Sequence, residues 1–279
     1  MAPTRGSLLY VHLGAIAVLL CMNGLTAQGR IRIRPALKSA AGASLRRRLH
    51  VNSLITDPGT AELEWGNDVS ETGDYFMPTT LKLTPSAKDG FWGRTELSAN
   101  FDLVSSPNDG VNSATHFSDH LLFAATTIIG GNSKWNFALA PNVSFLLRND
   151  RGARLGATMI ARYDSGLKSL GFTLGWSGAT ASSPTNPAGT FDVGAGYGTR
   201  LASSGKLSRW SPYGNLVFER SSGGIQGLTL SEGVEYQLTQ KFALQVSGQQ
   251  INIGSSDSYQ KVIAGITYNL GQPKQWWKY

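Results

Sequence analysis

The stretch Thr115-His116-Phe117-Ser118-Asp119-His120 is the one polar cluster here whose residue types could break a bond. A histidine beside a serine or an aspartate can take a proton from a hydroxyl or a water, and a serine so activated attacks an acyl carbon. His116 and Ser118 would then be base and nucleophile, yet nothing downstream supplies a secure partner to orient the imidazole. A zinc ion on His116 and His120 would need a third ligand at metal-motif spacing, and there is none. Gly194-Ala195-Gly196-Tyr197-Gly198 is rich in glycine. No helix pattern follows it, so its glycines read as one strand face that leaves room inside or lets another backbone come close. The sequence contains no Walker motif, no nucleophile elbow and no cysteine–histidine zinc pattern. The expectation is no catalytic residue, no metal and no cofactor, with hydrolysis at the His116/Ser118 loop as the alternative.

The remaining chemistry is carried by charges spaced two residues apart, which is strand spacing. From Arg94 to Leu103, Leu97, Ala99, Phe101 and Leu103 share one face while Arg94, Glu96, Ser98, Asn100 and Asp102 share the other. Trp135 to Leu147 repeats the pattern, as do segments near 154–163, 169–177 and 261–270. Weaker copies at 59–66, 76–84, 119–129, 190–200, 212–220, 228–238 and 241–250 bring the total to about twelve strands, an even number. The best segments run to about ten residues, longer than the 5–6 typical of a soluble sandwich and long enough to cross a bilayer at a tilt. Odd-numbered connections are mostly longer than even-numbered ones, and aromatics such as Trp65, Trp92, Trp135, Tyr163, Trp176, Tyr197, Tyr213 and Tyr268 sit on the apolar faces near segment ends. Each feature is expected of an antiparallel transmembrane β-barrel in a bacterial outer membrane.

Composition agrees with an all-β chain. Charged residues make up 15% of the 279 and glycines number 33, against roughly 25% and 7% in average soluble domains. That excludes a coiled coil, an acidic disordered tail and a helix-rich α/β enzyme. The net charge of +7 owes much to Arg30, Arg32, Arg34, Lys38, Arg46, Arg47 and Arg48. This run reads as a solvated segment, and no nucleic-acid partner is expected. Arg5, the apolar stretch Leu8–Met22 and Gly24-Leu25-Thr26-Ala27 resemble a secretory signal peptide. The expected layout is a cleaved signal peptide over 1–27, a basic, flexible periplasmic segment over 28–57, the barrel over 58–270 and a tail over 271–279. Cleavage after Ala27 would remove Cys21, the only cysteine, leaving stability to hydrogen-bonded sheet and burial.

In a barrel the charged faces point inward, because an Arg or Lys facing lipid would cost about 2–4 kcal/mol at the midplane. The candidates for the lumen are Arg94, Glu96, Asp102, Arg148, Arg154, Arg162, Asp192, Arg200 and Lys261. An excess of Arg and Lys there favours anions, with Arg94, Arg154 and Arg162 as the expected source. Ion pairs bridging the wall are an equal use of the same residues. The expected partners are outer-membrane lipid, the barrel-assembly machinery and a small solute.

Thr56-Asp57-Pro58-Gly59-Thr60-Ala61-Glu62-Leu63-Glu64-Trp65-Gly66, then Pro78-Thr79-Thr80-Leu81-Lys82-Leu83 and a strand from Trp92 to Phe101, resemble the outer-membrane proteins of the MetA-pathway phenol-degradation family. The resemblance covers roughly residues 55–270 in layout, with its specific residues in the first three strands. It implies a barrel passing small aromatic or hydrophobic solutes and brings no catalytic residue. After Leu270 this chain continues to Tyr279 where a strand ending on an aromatic is expected. The functional expectation is passive transport through a polar lumen, with a lipid hydrolase at the barrel mouth or a plugged structural or adhesion barrel as alternatives.

Overall fold

The structure, a computed structural model, describes residues 54–85, 91–106, 115–147, 152–182, 186–222, 224, 226–254 and 258–271. Among them are twelve strands: β1 (Thr60–Ser70), β2 (Tyr75–Thr84), β3 (Thr95–Ser106), β4 (His120–Gly131), β5 (Trp135–Leu146), β6 (Gly152–Asp164), β7 (Lys168–Ala179), β8 (Gly189–Thr199), β9 (Trp210–Ser221), β10 (Gln226–Gln237), β11 (Phe242–Ile251) and β12 (Tyr259–Gly271). Each pairs antiparallel with its neighbours in sequence, and β12 returns to β1, so the sheet closes into a barrel with no edge.

The period-two pattern sorts side chains between wall faces. Along β7, Ser169, Gly171, Thr173 and Gly175 are buried on the inner face while Leu170, Phe172, Leu174 and Trp176 stand exposed outside. The same outward exposure holds for Phe123, Phe137, Leu155, Met159, Val193, Leu216, Val246 and Val262 around the circumference. A water-soluble monomer rarely leaves apolar patches beyond a few hundred Å2 uncovered. A belt of this kind is what lipid covers. Cross-strand aromatic pairs finish it at one end: Trp135 with Tyr163, Trp210 with Tyr236 and Phe242 with Tyr268, with ring centroids 5.3, 4.5 and 6.0 Å apart.

That end also carries the short turns 132–134 and 165–167. Asn132 Oδ1 accepts the backbone N–H groups of Lys134 and Trp135 at 2.9 and 2.8 Å, holding the first turn. Gly166 adopts φ 74°, a left-handed conformation that a side chain would oppose, in the second.

Four expectations need correction. β1 runs on to Ser70, because Asp68 and Ser70 continue the inner polar face while Val69 points out, and only Glu71–Asp74 remain as the first connection. Ser70 Oγ donates to Asp74 Oδ2 at 3.0 Å and accepts the Asp74 N–H at 3.1 Å, which makes that tight turn possible. Trp92–Arg94 is a 3-10 turn and not strand: Arg94 N–H bonds the Phe91 carbonyl, and β3 starts only at Thr95. Tyr213 is buried inside the barrel instead of standing in the outer aromatic belt. The segment before the barrel also departs from a wholly periplasmic one, since Leu54 and Ile55 are 4% and 6% exposed. The expected signal peptide, most of the basic segment and the C-terminal tail beyond Gly271 lie outside the described residues.

Candidate functional site

The inner wall is polar and charged, and most of its charges meet an opposite charge. Lys82 on β2 sits between two carboxylates of β1, donating to Glu62 Oε1 at 3.0 Å and to Glu64. The pairing follows from register: Glu62 lies directly opposite Lys82, and Glu64 is one inward position further on. Lys261 on β12 donates to Asp68 on β1. Arg162, 2% exposed, reaches Asp164 two residues on along the same face, with Nε 2.9 and 3.0 Å from its oxygens.

Arg154 does something different. Its guanidinium donates to Asn186 Oδ1 at 2.8 Å, the Pro187 carbonyl at 2.7 Å, Ser177 Oγ at 2.9 Å and Thr190 Oγ1 at 2.8 Å. Asn186 in turn donates to the Ala181 carbonyl at 2.7 Å. The planar fork of donors therefore fastens the β7–β8 connection down onto the wall, a task a single ammonium could not share out so widely.

The other candidates separate. Glu96 is 1% exposed on the inner face of β3, and its Oε2 accepts the Thr56 backbone N–H at 2.8 Å. Asp102 is further along the same face, while Asp192, buried on β8, stands over Gly175, where any Cβ would collide with its carboxylate. Arg94 is exposed in its 3-10 turn and leaves the Glu96 face, and Arg200 is exposed just past the end of β8. Arg148 lies outside the described residues.

Composition and spacing alone did not reveal what lies across the lumen. Before β1, residues 54–57 turn inside the barrel. Leu54 clusters with Ala138 and Ala140 of β5 and Ile160 of β6, while Thr56 Oγ1 shares a 2.7 Å hydrogen bond with Thr84 Oγ1 of β2. Two adjacent apolar residues, separated from the Asp57-Pro58-Gly59 turn only by Thr56, were the available sign, since they fit no strand alternation.

Beside this segment is a cavity of about 620 Å3, within the range that holds small molecules. Leu54, Ile55, Thr56 and Asp57 form one of its walls. Glu62, Glu64, Lys82 and Glu96 line the β1–β3 side, and Glu235, Gln237, Ala243, Gln245, Thr267 and Asn269 come from β10 to β12. Arg200, Arg209 and Lys241, all exposed, line it from the connections at the short-turn end. Gln245 is held from behind by a hydrogen bond from its amide to the Tyr213 hydroxyl, and Tyr213 finds space because its β10 partner is Gly233.

The His116 cluster is built into the wall. Ser105 and His116 exchange backbone hydrogen bonds of 2.8 Å, and Ser118 N–H donates to the Asp102 carbonyl at 3.1 Å. The segment thereby continues the sheet beyond the point where the β3–β4 pairing stops at Asn100 and Leu122. The Ser118 hydroxyl donates to the His120 carbonyl and accepts the Asp102 N–H at 3.0 Å, while His116 Nε2 meets Asp119 Oδ1 at 2.7 Å. The serine hydroxyl donates to a backbone carbonyl and the imidazole pairs with an aspartate, so the segment is tied into the sheet beside β3. Among the described residues no group of three metal-ligating side chains comes together.

An apolar exterior, a charged interior and a closed antiparallel sheet define a transmembrane β-barrel. The fold is similar to that of solved outer-membrane porins: a KdgM porin with TM-score 0.53 and 9% identity, covering 74% of this chain and 98% of the porin, and a NanC porin with TM-score 0.54 and 9% identity, covering 75% and 100%. A KdgM porin in complex with disordered oligogalacturonate aligns with TM-score 0.52 and 8% identity, covering 74% and 98%. No protein-family model matches the sequence, and no curated protein does.

Proposed function

We propose that this protein is a passive channel of a bacterial outer membrane, inserted by the barrel-assembly machinery and carrying small solutes across the lipid. The observation that carries the reading is the cavity of about 620 Å3 lined mostly by polar and charged side chains within an apolar-clad barrel. Plugged barrels also have polar interiors, but a solute path needs open space among such groups, and this cavity provides it. The fold likeness to porins, one of them solved with oligogalacturonate, supports the same reading.

The cavity favours small solutes with polar handles. Amides of Gln237, Gln245 and Asn269 and the ionic sides can replace lost hydration, while Leu54, Ile55 and Ala243 offer an apolar surface for a ring. A polar aromatic compound suits both, in keeping with the resemblance of residues 56–66 to the phenol-degradation family. The wall-building role of Thr115–His120 argues for transport over lipid hydrolysis.

The test is conductance in planar bilayers with uptake of small polar aromatics into proteoliposomes. Steady channels, with no lipid-hydrolysing activity lost on changing His116→Ala and Ser118→Ala together, are expected. A folded barrel that passes neither ions nor solutes would replace this reading with that of a plugged structural barrel.

A further inference from the structure

Leu54 and Ile55 are among the most buried apolar residues of a barrel whose inner face is otherwise mostly polar. Leu54 lies on β5 and β6, whereas Thr56 is tied to β2 and β3 through Thr84 and Glu96. Three residues thus bridge the lumen from one part of the wall to another, apolar at one anchor and hydrogen-bonded at the other. The seat is built for the contact: Ala138, Ala140 and Ile160 form an apolar patch on the inner face, which would be costly to leave wet at about 25 cal/mol per Å2. The Glu96 carboxylate accepting a main-chain N–H is a charge-assisted bond, stronger than a neutral one. The same residues form a wall of the cavity.

We propose that Leu54–Asp57 is the selectivity strap of the channel: it closes the β5–β6 side of the lumen and routes every solute through the cavity beside Glu96. The proposal rests on the channel reading. The side chains at 54 and 55 then set the width of the passage, and the Thr56–Glu96 bond holds the strap in place. Loosening either anchor widens the path, and enlarging residue 54 narrows it.

Single-channel conductance and the size of neutral polyethylene glycols that enter the pore test this on the full-length protein, with heat-modifiable gel migration confirming folding. Leu54→Ala with Ile55→Ala should raise conductance about two-fold or more and admit larger polymers, since flow follows the narrowest cross-section. Glu96→Ala should do the same while leaving both apolar residues in place, which covers the case where the double variant fails to fold. Leu54→Trp should lower conductance by a similar factor. Currents that appear only in the loosened variants would overturn both the strap and the channel reading, making Leu54–Asp57 part of a plug. If the wild type conducts and no folded variant changes conductance or polymer cutoff, the strap is overturned and the channel stands. If no folded form conducts, both readings fall.

Discussion

The Lys261 ammonium donates to the Asp68 carboxylate inside the barrel, across the seam where β12 meets β1 and between residues 193 apart in sequence. Both side chains are more than nine-tenths buried, so removing one partner strands the other's charge, at a cost of about 3 kcal/mol or more when buried. Lys261→Met should destabilise the barrel in urea titrations by about that amount. Asp68→Asn in the same chain should recover part of the loss. Equal stability of the single and double variants would show that lumen water already screens the pair.

Arg154 holds the β7–β8 connection through Asn186 and Pro187. Arg154→Gln should free Asn186 and Pro187, and limited proteolysis of the folded protein should then cut beside these two residues faster than in the wild type. Arg154→Lys should not restore resistance, because an ammonium lacks the planar fork needed to reach Ser177, Thr190 and the connection together.

Tyr213 reaches the cavity residue Gln245 over a glycine. A Cβ at Gly233 would lie 2.6 Å from both the Tyr213 hydroxyl and the Val246 carbonyl oxygen. Moving Tyr213 relieves only the first of these. Gly233→Ala should therefore destabilise by about 1–3 kcal/mol through overpacking, seen as a lower unfolding midpoint in detergent.

Leu174 stands outward near the middle of β7 and is 46% exposed. Leu174→Arg should cost about 2–4 kcal/mol of folding into lipid vesicles. An unchanged folding free energy would mean that this face does not meet the hydrocarbon.

Charge selectivity should respond to the basic residues at the short-turn end of the cavity. Arg162 faces Asp164, Arg154 is occupied with the β7–β8 connection, and Arg94 lies in its turn. Arg200→Glu with Lys241→Glu should move the reversal potential in a salt gradient toward cations. The shift should shrink at 1 M salt, where screening cuts the reach of each charge to about 3 Å. If Arg154→Glu with Arg162→Glu moves the potential more than this pair does, wall arginines set the selectivity instead.

Strand count, strand order and the inward or outward sense of most positions were legible in the sequence, because a side-chain period of two reports local backbone geometry that each segment carries by itself. Ser169 to Trp176 and Glu96 to Leu103 are the plain cases, alternating in the chain as they do on the wall. The extension of β1 through Asp68 was hidden, since a polar residue facing a wet interior looks like a loop residue until its strand partner is known. Thr115–His120 drew attention by residue type, yet its role was set by Ser105 and Asp102, which only the closed sheet brings alongside. Two partners of Arg154, Asn186 and Pro187, come from a connection more than thirty residues away, and register, not composition, sets Lys82 between two carboxylates. Leu54 had no periodicity to read at all. Its place depends on β5 and β6 presenting Ala138, Ala140 and Ile160 to one spot inside the barrel, a surface that exists only once the sheet has closed.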